Sequence, residues 1–107
     1  MTDKARLRKS VLWFAEQMEL TLRKHDGRGG WLDENLDYLI DRLQEEVDEL
    51  RDVLQDHPMS DEKLAAIIGE CCDVANFAMM IADRTADGRR YGAAAWNETD
   101  YHTRGEA

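Results

Sequence analysis

The sequence predicts an all-α protein, an antiparallel helical bundle. Three observations carry that expectation. Apolar residues recur at spacings of three and four in three separate stretches, which is the period of an α-helix. One proline and seven glycines in 107 residues leave those stretches uninterrupted. Sustained β-branched alternation, the mark of a half-buried strand, is missing. A chain of this length folds as one domain and buries about two thirds of its unfolded surface. It divides into a helical domain over 1–88 and a short helix or polar tail over 89–107.

Each element has its own justification. The first helix is expected from about Asp3 to Lys24, where Leu7, Val11, Phe14, Ala15, Met18 and Leu22 form one apolar stripe. A glycine-rich break follows, His25-Asp26-Gly27-Arg28-Gly29-Gly30. Asp33 is then placed to cap a second helix, carrying Leu36, Leu39, Ile40, Leu43, Val47, Leu50 and Leu54 to about Asp56. His57-Pro58-Met59 ends it, because proline cannot continue the hydrogen-bond ladder. Ser60 or Asp61 caps a third helix that runs to about Arg84.

Composition excludes several functions. With 23 acidic and 14 basic residues the net charge is −9, which argues against nucleic acid and against anionic membranes as partners. An acidic protein can still handle a polyphosphate when metal ions stand between the two sets of charge. Leu64–Ala82 is nearly long enough to span a membrane, but two carboxylates and an asparagine near its middle argue against that. The N-terminus, MTDKARLRKS, has no apolar signal core. Cys71 and Cys72 are adjacent, unsuited to an ordinary disulfide with each other, and read as small core residues. The expectation is a reduced, cytoplasmic protein.

The chemistry is carried by acids. Glu70 and Asp73 are the only charged residues in the apolar run Leu64–Ala82, and their spacing points both the same way. Upstream lies Glu45-Glu46-Val47-Asp48-Glu49. Turning each residue by about 100° puts Glu46 inside the apolar stripe, between Leu39 and Val53, with Glu49 on its flank. Glu45 falls further out, near Tyr38, and Asp48 faces solvent. Glu70 points between Phe77 and Ile81, and Asp73 close to Met80 and Ala66. Glu46, Glu49, Glu70 and Asp73 form the inward set. Carboxylates about 4 Å apart repel by about 1 kcal/mol in water and by several times that in a drier site. A hard divalent cation reverses the sign. All-oxygen donors suit magnesium, manganese or calcium rather than zinc. Against this stand a solvated acidic face and neutralisation by arginine, for which Arg42 and Arg84 are available.

Glu45-Glu46-x-x-Glu49, twenty intervening residues, then Glu70-x-x-Asp73 resembles the EExxE…ExxD signature of MazG-like, all-α nucleoside triphosphate pyrophosphohydrolases. The match spans about Asp33 to Arg84. Two features differ from the family pattern: the chain is a single short unit, and Cys-Cys stands inside ExxD. The resemblance implies a nucleoside triphosphate as substrate, cleaved to monophosphate and pyrophosphate by water attack on the α-phosphorus. It implies Mg2+ as cofactor, with Mn2+ as a substitute, held by Glu46, Glu49, Glu70 and Asp73. Glu45 is then the catalytic residue that orients or deprotonates the attacking water. A homodimer or homotetramer is also implied, with oligomerisation completing the bundle.

Four further residues are expected at the substrate. Lys24 and Arg28 bring positive charge to the glycine-rich break, whose N–H groups can approach an anion. Trp31 either stacks on a base or staples the second helix to the core. Asn76, one turn beyond Asp73, either donates to a sugar hydroxyl or phosphate or is a satisfied core amide. Two other functions stay open: a non-catalytic helical interaction module, and a pyrophosphohydrolase acting on a phosphoribosyl-nucleotide.

Overall fold

The structure, a computed structural model, describes residues 6–28, 30–55 and 58–86, with the side chain of Arg28 outside the description. The tail 89–107 also lies outside the described residues. Three α-helices account for the fold: α1 (Lys9–Arg23), α2 (Leu36–Leu54) and α3 (Asp61–Ala86), with a 3-10 turn at Asp26–Arg28 between the first two. The protein is all-α, and no strand occurs among the described residues.

The helix ends follow local chemistry. α1 starts at Lys9, later than the apolar stripe predicts, and Leu7 is left outside it, 46% exposed. Its N-cap, Arg8, makes no side-chain capping bond, and no acid stands in the first turn. Basic residues there oppose the positive end of the helix dipole. The cap of α2 is Asn35 rather than Asp33: its Oδ1 accepts from the Asp37 N–H at 2.7 Å. Asp33 instead sits within a turn closed by the Glu34 N–H on the Trp31 carbonyl at 3.0 Å. α2 ends at Leu54, because Gln55 is already extended (φ −85°, ψ 149°). Ser60 caps α3, its Oγ accepting from the Lys63 N–H at 3.1 Å, and the helix runs two residues past Arg84.

α3 is the element on which both other helices pack. The pairings run in opposite numerical order. Arg84 Nε donates to the Glu34 carbonyl at the start of α2, while Lys63 Nζ donates to the Gln55 carbonyl at its end. α2 and α3 are therefore antiparallel. On the other side Asn76 donates to the Met18 carbonyl and Cys72 lies beside Thr21, so α1 is antiparallel to α3 as well. The buried stripe of α3 is Cys72, Asn76 and Asp83.

Little apolar surface is enclosed. Among the described residues the fully buried hydrophobic side chains are Leu39 and Cys72. Val11, Leu12, Trp13 and Leu20 on α1 are each about half exposed. α3 is long and apolar enough to cross a membrane by length and composition, with mean hydropathy 1.6, and 11% of that window is buried.

Candidate metal centre and adjoining cleft

Glu46 and Glu49 stand one turn apart on α2, and the antiparallel α3 brings Glu70 against them. Each of the three offers a carboxylate oxygen, and these oxygens all lie within 4.8 Å of one another. Glu46 is buried, with 5% of its surface exposed; Glu70 is half-buried and Glu49 exposed. Asp73 lies beside this trio rather than in it, within hydrogen-bonding reach of Glu46 and close enough to feel the Glu49 charge.

The electrostatics are those of a cluster short of positive charge. Burial pushes the Glu46 carboxyl up, and the charges of Glu49 and Asp73 add to it, while Arg42 opposes them. Burial also raises Glu70, reinforced by Glu49, Asp73 and Glu46, and by a hydrogen bond to Glu49 that Glu70 makes only when protonated. Asp73 is raised by burial and Glu49, against the pull of His25 and Lys24. The Glu70 Oε1 atom is buried and has no hydrogen-bond partner. Buried acceptors are almost always satisfied, so an orphaned carboxylate oxygen beside two other acids fits a site built for a cation. An all-oxygen donor set fits magnesium or manganese.

Arginine enters the cluster at one edge. Arg42 Nη2 donates to Glu46 Oε2 at 3.0 Å, and Nη1 donates to Glu45 Oε1. Glu45 is thereby held at the rim, its side chain 60% exposed, and is not gathered into the carboxylate trio. Its angular position one residue before Glu46 dictates this, since a 100° turn carries it off the inward face. Arg84 is engaged with a backbone carbonyl of Glu34.

Next to the acids lies a cleft of about 820 Å³. Glu46 and Asp73 belong to its lining, so cluster and cleft share a wall. Met18, Trp31, Tyr38, Phe77 and Met80 give it flat and thioether surfaces, and Arg42 and His25 bring its basic groups. Of the two roles expected for Trp31, the structure shows the staple. Its ring lines the cleft, while its Nε1 donates to Asp83 Oδ2 at 2.9 Å and ties the segment before α2 to α3.

Asn76 is 3% exposed, its Nδ2 donating to the Met18 carbonyl at 3.3 Å while its Oδ1 has no partner. A carbonyl only accepts, so the amide is oriented with its oxygen as the unused group. That makes it an acceptor for an incoming donor such as a hydroxyl, and ill suited to meet a phosphate through that atom. Lys24 is exposed at the end of α1, and its charge reaches Asp73. Arg28 lies on the 3-10 turn, with its side chain outside the description. A Cβ at Gly27 or Gly30 would meet nothing within 4 Å, so the chain itself does not require glycine at either position.

Two contributors escape the sequence reading. Phe77 forms part of the cleft and carries Arg42 on its ring, 5.1 Å from Cζ to centroid. Asp83 is a buried acid, 4% exposed, that anchors Trp31. The signal for Asp83 is present in the spacing: it stands seven residues after Asn76, on the same helical face. Compared with known proteins, the chain matches no protein-family model, and neither a curated protein nor a solved structure is significantly similar to it.

Proposed function

We propose that this chain is a divalent-cation-dependent nucleotide pyrophosphohydrolase, cleaving a (deoxy)nucleoside triphosphate to monophosphate and pyrophosphate by water attack on the α-phosphorus. The observation that carries the reading is the convergence of Glu46, Glu49 and Glu70 from two antiparallel helices, beside a cleft large enough for a small organic ligand. Support also comes from the order of the same acids along the chain, which resembles the MazG-like signature.

In this reading Glu46, Glu49 and Glu70 hold Mg2+ or Mn2+, and Asp73 completes the set from the cleft side. The bound ion supplies charge compensation for the phosphates and lowers the pKa of a bound water. The chain's own residues do the remaining work. Glu45 is the proposed acceptor of the water's proton, acting from the rim where Arg42 fixes it. Trp31, Tyr38 and Phe77 offer a base flat apolar surface. Lys24 and Arg28 are the proposed phosphate contacts, and the Asn76 oxygen meets a sugar hydroxyl. The reading implies a cytoplasmic enzyme with neither nucleic acid nor membrane as partner.

The test is a panel of NTPs and dNTPs incubated with Mg2+, with pyrophosphate and orthophosphate measured separately. Monophosphate and pyrophosphate in equal amounts are expected. Orthophosphate as the sole released product, from a preparation free of pyrophosphatase, refutes attack at the α-phosphorus. Including a phosphoribosyl-nucleotide in the panel tests that related substrate.

The uncovered apolar residues of α1 and the sparsely buried α3 favour a second reading, a helical interaction module. A second copy of the chain covering these faces, as a homodimer or homotetramer, is compatible with either function. Metal separates them. A ligand that binds only the native state raises its melting temperature, by about 2.7 kcal/mol of stabilisation at a hundredfold excess over Kd. Identical melts in magnesium and in chelator leave only the interaction module.

A further inference from the structure

The Arg42 side chain makes three contacts at once. It stands one turn before Glu46 on α2, where Nη1 donates to Glu45 Oε1 and Nη2 donates to Glu46 Oε2 at 3.0 Å. Its Cζ lies 5.1 Å from the centre of the Phe77 ring, across on α3. Both Arg42 and Phe77 line the cleft, and so does Glu46. The contrast with Arg23 is instructive. Arg23 pairs with Glu19 at 3.2 Å, but the two side chains are 60% and 44% exposed, and such pairs contribute little. Arg42 is 31% exposed and holds a carboxylate that is 7% exposed, with an aromatic platform beneath it.

The geometry suits arginine and no other cation. A planar fork can satisfy two carboxylates while one face rests on a ring; an ammonium is a point donor without a face to stack. Hydrogen bonds from surrounding residues orient metal-ligating carboxylates, and removing such a bond typically costs tenfold to a hundredfold in metal affinity.

We propose that Arg42 is a positioning residue that couples the carboxylate cluster to the cleft. It pins Glu46 through Oε2, so that the rotamer presented to the ion is fixed. Through Phe77 it ties that rotamer to the cleft wall. A ligand pressing on Phe77 therefore alters the cluster, and an ion in the cluster alters the wall. This inference rests on the metal reading of Glu46, Glu49 and Glu70, and it assigns to Arg42 a role distinct from that of a counter-ion.

The experiment uses Mn2+ as probe on the whole chain, with affinity and the bound-ion spectrum read by electron paramagnetic resonance and no nucleotide present. Arg42→Lys keeps the charge and removes the fork; Arg42→Met removes both; Phe77→Leu removes the platform. Positioning predicts that Arg42→Lys weakens Mn2+ binding about tenfold or more and changes the bound-ion spectrum, while helical content is retained. Phe77→Leu is expected to shift affinity the same way, by several-fold, and it decides the matter if Arg42→Lys does not fold. Wild-type affinity and spectrum in Arg42→Lys and Phe77→Leu, with tighter binding in Arg42→Met, would show Arg42 to be only a counter-ion and overturn the proposal. No Mn2+ binding by the wild-type protein would overturn the metal reading and this inference together.

Discussion

Glu46, Glu70 and Asp73 all have their pKa pushed upward, with burial as the leading cause in each. The consequence for stability has a definite sign. A carboxyl that is harder to ionise in the folded state than in the unfolded one favours folding while it is protonated and loses that contribution as pH rises. The metal-free protein is therefore expected to melt at a higher temperature at pH 5 than at pH 8. The loss begins above the ordinary carboxylate range, near 4, and continues through the raised values. Saturating magnesium should flatten the dependence, because it compensates the ionised form. A melt series at several pH values, with magnesium and with chelator, checks both halves. A metal-free protein that stabilises steadily from pH 5 to pH 8 would contradict them. Substituting Glu70→Gln relieves repulsion on the order of 1 kcal/mol, so the metal-free melt rises by a few degrees while the gain from magnesium disappears. The inward direction of Glu46 was legible because helix geometry is local arithmetic. The capture of Glu45 by Arg42, and the place of Asp73 beside the trio, depend on how α2 meets α3, which spacing along one helix does not encode.

The elements show the same division between local and tertiary causes. Three helices, their order and the break at Pro58 were all readable from periodicity and breakers, whereas the ends moved by a few residues. Asp33 and Asn35 are both competent caps, and the turn that closes Glu34 onto Trp31 decides for Asn35. Asn35→Ala should cost about 1 kcal/mol, seen as a lower midpoint in urea with an unchanged slope. Asp33→Ala should cost less, and the reverse order would refute the capping assignment. At the same end of the antiparallel α2–α3 pair, Trp31 and Asp83 close a bond between the segment before α2 and the last turns of α3. Trp31→Phe keeps a ring in the cleft but removes a donor from a buried carboxylate, a loss of about 1.5–3 kcal/mol. A variant as stable as the parent would show that this bond does not hold the hairpin.

For the molecule as a whole, the decisive fact is how little is enclosed: Leu39 and Cys72 alone are fully buried hydrophobics among the described residues. Leu12, Trp13 and Leu20, at 50%, 47% and 52% exposure, crowd one helix with apolar area that a lone chain leaves wet. Self-association through α1 and α3 is the outcome expected under the proposed function. Sedimentation velocity should find a dimer or larger at micromolar concentration, with a melting temperature that rises with concentration. Leu20→Glu should shift the population to monomer. A wild-type monomer at all concentrations would remove the partner from the proposal. The all-α class was legible from composition and periodicity together, because few breakers and a 3.6-residue period both point to helices. The thinness of the core was not, since an apolar stripe reads the same whether its cover comes from the same chain or another.

The anchoring of Trp31 has an optical consequence. Its indole N–H is fixed on Asp83 and its ring forms part of the cleft, whereas Trp13 stands half in solvent on α1. In a Trp13→Phe, Trp96→Phe background, emission comes from one fluorophore whose surroundings change when a nucleotide base arrives. Quenching or a spectral shift on adding a nucleotide would turn this residue into a direct titration signal for occupancy, independent of turnover.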